Sequence, residues 1–223
     1  MNLLRLALAI ARKDVVAELR SREIITSVLV FGILVLIIFN FAFTVDAATM
    51  TLLAPGVLWV AFTFAGVLAL NRSFIPEKED GCLEGLLACP AGRETIYLGK
   101  MLGSLLFMLM VEAVIMPVFA LLFDINVFRA EVLIVTILGT VGFTAVGTVF
   151  SALAVNTRAR EMVLPVLFLP VVSPIIIAAV ESSALALSGG GFRDMMIWLI
   201  IITAFDIIFL TVPFLVFSYV IEE

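Results

Sequence analysis

The sequence predicts an all-α membrane protein: six transmembrane helices, an interfacial helix before them and a short cytoplasmic helix between them. Three observations predict it. Of 223 residues, 64% are hydrophobic and 14% charged, and mean hydropathy is +1.28. A soluble domain has about 45–50% apolar and about 25% charged residues, and a water-facing globule of this length cannot bury so much apolar surface. Six stretches reach the length of about 20 mostly apolar residues that a bilayer-crossing helix needs. Lysine and arginine gather in alternate intervals between those stretches.

Taken in order, residues 1–22 form an amphipathic helix. At about 100° per residue, Leu4, Leu8, Ala11, Val15 and Leu19 share one stripe, and Arg5, Arg12, Lys13 and Arg20 lie beside it. That pattern lies along a membrane with its cations near anionic headgroups. It fits a simple anchor, and equally an elbow helix that also touches a cytoplasmic partner. The spans follow near 24–44, 50–71, 100–123, 132–155, 162–181 and 196–220. All are rich in Val, Ile, Leu and Phe without period-two alternation, which argues against a lipid-facing barrel.

The longest polar interval runs from Asn71 to Lys100. Pro76 suits the first turn of a helix, and Glu77, Glu79 and Asp80 suit its positive end. Leu83, Leu86 and Leu87 give an apolar face, Glu84 lies among them, and Pro90 with Gly92 ends the segment. A short helix over 76–90 follows, as a docking surface or as an ordinary connector. The fourth span collects Gly139, Gly142 and Gly147 with Thr136, Thr140, Thr144, Thr148 and Ser151, a composition suited to close helix packing. Pro165, Pro170 and Pro174 must loosen or kink the fifth, since each removes a backbone donor. Residues 182–195, broken by Gly189, Gly190 and Gly191, fit a re-entrant element or a plain loop.

Orientation follows from the cations. Arg5, Arg12, Lys13, Arg20, Arg22, Arg72, Lys78, Arg93, Lys100, Arg158 and Arg160 fall on one side, and only Arg129 and Arg193 on the other. Both termini are therefore expected in the cytoplasm. Thirteen Lys+Arg against 18 Asp+Glu argue against nucleic-acid binding. The chain has no histidine, so histidine-based zinc sites and Ser-His-Asp chemistry are absent. Cys82 and Cys89 make no disulfide framework, and no cleavable signal peptide or phosphate-binding loop is visible. No catalytic or metal-binding residue is expected. Glu112 and Asp206 stand at membrane depth, where a carboxylate is costly and marks a substrate path, a subunit contact or structural hydrogen bonding.

Particular strings carry a resemblance. Residues 54–61 read Ala-Pro-Gly-Val-Leu-Trp-Val-Ala, and the second span leaves through Leu68-Ala69-Leu70-Asn71-Arg72-Ser73-Phe74. Residues 79–87 then read Glu-Asp-Gly-Cys-Leu-Glu-Gly-Leu-Leu, followed by Pro90 and Gly99-Lys100. The chain resembles the heme exporter protein B family, the CcmB permease of cytochrome c maturation, over nearly its whole length. Cys82 departs from the small or hydroxyl residue usual after the glycine. The resemblance implies an exporter-type ABC permease of the bacterial inner membrane, without catalysis of its own, pairing with a separate ATPase, CcmA, that binds ATP. It implies a second CcmB copy, with CcmC, CcmD and the heme chaperone CcmE as further partners, and heme as substrate, not as a tightly bound cofactor. It also makes 76–90 a coupling helix, with Glu79, Asp80 and Glu84 orienting the ATPase and Leu83, Leu86 and Leu87 buried against it. Phe41, Phe43, Trp59, Phe123, Phe128 and Phe192 are expected at the outer ends, as apolar contacts of a heme-related surface or as an ordinary aromatic belt. The alternatives are a permease for a lipid or drug, and a proton-coupled secondary transporter using Glu112 and Asp206, against which the lack of an internal repeat argues.

Overall fold

In the computed structural model of the chain, the described residues are 3–43, 47–71, 92–155 and 164–220. They form α1 (Leu3–Arg20), α2 (Arg22–Ala42), α3 (Ala47–Leu70), α4 (Arg93–Phe123), α5 (Ala130–Val155), α6 (Leu169–Leu187) and α7 (Met196–Val220). No strand occurs among the described residues. Six of these helices, α2 to α7, are long and apolar enough to cross a membrane. The all-α membrane fold expected from composition is the one observed. The helix expected over 76–90 lies outside the described residues, and with it Glu79, Asp80, Leu83, Glu84, Leu86 and Leu87.

Helix α4 is the post around which the others assemble, packing against α1, α2, α3, α5 and α7. Its 31 residues span about 46 Å at 1.5 Å per residue, well beyond a hydrocarbon core of about 30 Å. It begins at Arg93, not at 100 as hydropathy implied. The early turns carry Arg93, Glu94 and Lys100, so they read as loop, yet Thr95, Ile96, Tyr97 and Lys100 are buried there. What buries them is α1, with α5 and α7.

Helix α1 meets α4 through small residues. Ala7, Ala11 and Asp14 are its buried positions, and any side chain at Gly99 would collide with Ile10. The leucine stripe points elsewhere: Leu4 is 68% and Leu8 58% exposed. The helix is thus three-sided, with a small face on protein, a leucine stripe outward and exposed Arg5, Arg12 and Lys13 beside it. Ser21 alone separates α1 from α2, its amide bonding back to the carbonyls of Ala17 and Glu18.

Helix α6 resolves two expectations. Residues Leu164–Phe168 form a π-helical turn before it, the local unwinding expected where Pro165 and Pro170 remove donors. Pro174 leaves the carbonyl of Pro170 without its helical partner, and the Ser173 hydroxyl donates to that oxygen at 2.8 Å. At its far end α6 continues to Leu187, with Ser182, Ser183 and Ala186 buried. The segment 182–195 is therefore neither re-entrant nor a plain loop. Its first part is helix, because serine and alanine are small enough to pack. The chain then turns at Gly189, whose φ of +94° suits glycine, and the Gly190 amide bonds the Leu185 carbonyl.

Candidate functional site

Polar side chains inside the bundle gather on α5, whose small residues let neighbours approach its backbone. Trp59 lies against Gly139, Leu70 against Gly147, and Asp206 with Ile175 against Gly142, where any side chain would collide. The packing role expected of these glycines holds at each. The threonines mostly serve their own helix: Thr144 donates to the Thr140 carbonyl at 2.7 Å, and Thr148 to the Thr144 carbonyl at 2.8 Å.

Glu112 and Asp206 are both buried, 2% and 5% exposed. Glu112 Oε1 lies 2.6 Å from Thr140 Oγ1, which is itself 2.8 Å from the Thr136 carbonyl oxygen. Glu112 Oε2 and Asp206 Oδ1 have no hydrogen-bond partner. The two carboxyls approach α5 at Thr140 and at Gly142, positions about 200° apart on a helix. The structure therefore keeps them on opposite sides of α5. Neither faces the outside of the bundle.

A second set of contacts lies where α3 ends and α4 begins, on either side of residues 72–91. The Ser151 hydroxyl donates at 2.7 Å to the carbonyl of Leu70, an acceptor that a helix C-terminus leaves without a partner. At the start of α4, Lys100 Nζ lies 3.2 Å from Asp14 Oδ2, and Lys13 Nζ 2.9 Å from Asp14 Oδ1. Lys100 is 1% exposed, so this pair is buried on its cationic side. Tyr97, also buried, places its hydroxyl 3.0 Å from the carbonyl of Phe209 and 3.2 Å from that of Ala145. Pro213, four residues after Phe209, has no amide hydrogen to bond that carbonyl, and Tyr97 supplies one.

Sequence reading missed these anchors. Lys100 stands at the end of the polar interval that begins at Asn71, and Asp14 stands among basic neighbours, so neither position signals a buried pair. One signal was available: a proline inside an apolar span frees the carbonyl four residues earlier, and a tyrosine at matching depth can satisfy it.

At the opposite end, the Asn40 amide donates to the Leu122 carbonyl at 2.7 Å, closing the last turn of α4. The six aromatics expected to share an outer surface do not do so. Trp59 and Phe123 are buried, with the Trp59 indole N–H donating to Ser183 Oγ at 3.0 Å, while Phe43 stacks on Phe39. Phe41, Phe128 and Phe192 remain exposed. Among the described residues, no three His, Cys, Asp or Glu side chains group to hold a metal ion.

The family model described as CcmB protein matches residues 5–222. The chain is similar to heme exporter protein B of Pseudomonas aeruginosa, 29% identical over 177 residues, 79% of each chain. It is similar to the Bradyrhizobium diazoefficiens protein of that name, 29% identical over 182 residues, 81% of this chain and 82% of the relative. The Haemophilus influenzae one is 28% identical over 189 residues, 82% and 85% of the two chains. With six spanning helices and a match over almost the whole sequence, this chain belongs to the CcmB protein family.

Proposed function

We propose that this chain is the membrane permease subunit of an ABC transporter that handles heme for cytochrome c maturation. The observation that carries the reading is the family match over residues 5–222 on a bundle of six spanning helices. The chain is non-catalytic, and ATP is hydrolysed by a separate subunit, CcmA. A second copy of the chain, CcmC, CcmD and the heme chaperone CcmE complete the assembly, with heme as substrate. It lies in the bacterial inner membrane with both termini in the cytoplasm, as the uneven distribution of lysine and arginine supports.

Residues 76–90 carry the ATPase contact. The framing of this segment supports that role, because the end of α3 is held by Ser151 and the start of α4 by Asp14 and Tyr97. A displacement of 76–90 is then delivered to anchored helices and not absorbed by loose ones. The test is co-purification of the ATPase with variants at matched membrane levels. Leu83→Ala or Leu86→Ala removes a buried anchor, costing about 2–4 kcal/mol of binding at a hot spot, and reduces the captured ATPase. Glu77→Ala, a rim charge, changes mainly association rate and salt dependence. Leucine variants that retain the ATPase as the parent does would end the coupling assignment.

A further inference from the structure

Helix α1 divides its circumference among three surroundings, and its seat on α4 fixes the division. Ala7, Ala11 and Asp14 are its buried positions. Gly99 of α4 leaves room for Ile10, and at Gly103 an added Cβ would stand 3.2 Å from the Asp14 side chain. Asp14 also holds Lys100 of α4 at 3.2 Å. A helix seated against two glycines and tied by an ion pair to a buried lysine is not free to roll about its own axis.

With that face occupied, the remaining positions are set. At about 100° per residue, Leu4, Leu8 and Leu19 lie about 90° round from the buried face, and all three are exposed. Arg5 and Arg12 follow about 60° further on. Both are exposed, and no ion pair among the described residues includes either. Lys13 and Arg20 lie further round still. Exposed leucines beside an apolar six-helix bundle belong among acyl chains. Their depth leaves Arg5 and Arg12 level with the phosphates, where a guanidinium on its flexible stem reaches an anionic headgroup without lifting the leucines out. A water-soluble partner can approach Lys13 and Arg20, but at Arg5 and Arg12 it must compete with headgroups.

We propose that α1 binds anionic phospholipid of the adjoining leaflet through Arg5 and Arg12, and that the bound lipid steadies the start of α4. The second part follows from the seat of α1. A pull on α1 acts through Asp14 and Lys100 on the two turns of α4 that come directly after residues 72–91. Lipid composition is thereby a control on that segment. Its bearing on ATPase coupling rests on the reading of 76–90 as the ATPase contact, whereas lipid binding does not.

The test uses the full chain, parent against an Arg5→Gln, Arg12→Gln double variant. Both arginines are exposed, so the variant is expected to fold. An Arg129→Gln, Arg193→Gln control removes the same charge at the other end of the bundle. Native mass spectrometry counts phosphatidylglycerol against phosphatidylcholine retained from an equal mixture. The parent should prefer phosphatidylglycerol. The double variant should lose about tenfold or more of that preference, since each cation near an anionic surface contributes about fivefold, and the control should lose far less. Hydrogen exchange of residues 93–100 in nanodiscs should be slower with phosphatidylglycerol than with phosphatidylcholine alone in the parent, and alike in both for the double variant. A parent without preference, or a control that loses as much as the double variant, overturns lipid binding. Parent exchange at 93–100 that is equal in both bilayers overturns the hold on α4. If leucine variants of 76–90 retain the ATPase, the coupling reading alone falls, and both lipid measurements stand.

Discussion

The hydroxyl of Ser151, near the end of α5, caps the carbonyl of Leu70, the last residue of α3, at 2.7 Å. The same turn region brings Gly147 against the Leu70 side chain. One residue of α3 is thereby fixed at backbone and side chain just before residues 72–91. Ser151→Ala leaves that buried carbonyl without a partner and should cost about 1–3 kcal/mol. Ser151→Thr keeps the donor and should cost less. Thermal unfolding of the purified protein in one detergent separates the two.

Tyr97 and Pro213 make a coupled pair through the carbonyl of Phe209. Tyr97→Phe should destabilise by about 1–3 kcal/mol, since the carbonyl then has neither hydroxyl nor amide. Adding Pro213→Ala restores an amide hydrogen and should recover part of that loss. A double-mutant cycle measures the coupling. Strictly additive effects would mean that Tyr97 does not serve the carbonyl freed by the proline.

The two lysines on Asp14 should behave differently. Lys13 is 50% exposed, and a pair of that kind contributes about 0–1 kcal/mol. Lys100 is buried, and removing one partner of a buried pair costs about 3–5 kcal/mol. Asp14→Asn and Lys100→Met should therefore each unfold the α1–α4 contact well before Lys13→Met does. Protease accessibility of α1, followed with rising temperature, reads this out.

Topology gives a fourth expectation. With its cations divided as they are, the chain should place a reporter fused after Glu223 in the cytoplasm. Activity of a reporter that works only in the periplasm would reverse the assignment.

The spans were legible because hydropathy is summed over some twenty residues, and no single polar side chain hides such a signal. The limits of α4 and α6 were not, for opposite reasons. Arg93 to Lys100 carry charge and looked like loop, yet Asp14 neutralises Lys100 and lets the helix continue beneath α1. Ser182 and Ser183 looked like the start of a loop, yet they are small enough to be buried, and Trp59 bonds one of them. The burial of Glu112 and Asp206 follows from their depth. Their separation across α5 depends on helix rotation, which a single sequence does not encode in any local pattern.

The threonines of α5 have a consequence for how that helix meets its neighbours. A row of hydroxyls through the middle of a membrane protein invites comparison with the wet lining of a channel. Here Thr144 and Thr148 are turned back onto their own backbone and offer little to a passing solute. Across the bundle, α5 is held by shape at its glycines and by a few polar rivets, at Glu112, Leu70 and Tyr97. A helix attached in this way is held by side chains lodged in its glycine notches, and sliding it would first have to lift Trp59 and Leu70 out of them. Its hydroxyl row is a packing surface, not a hydrophilic pore wall.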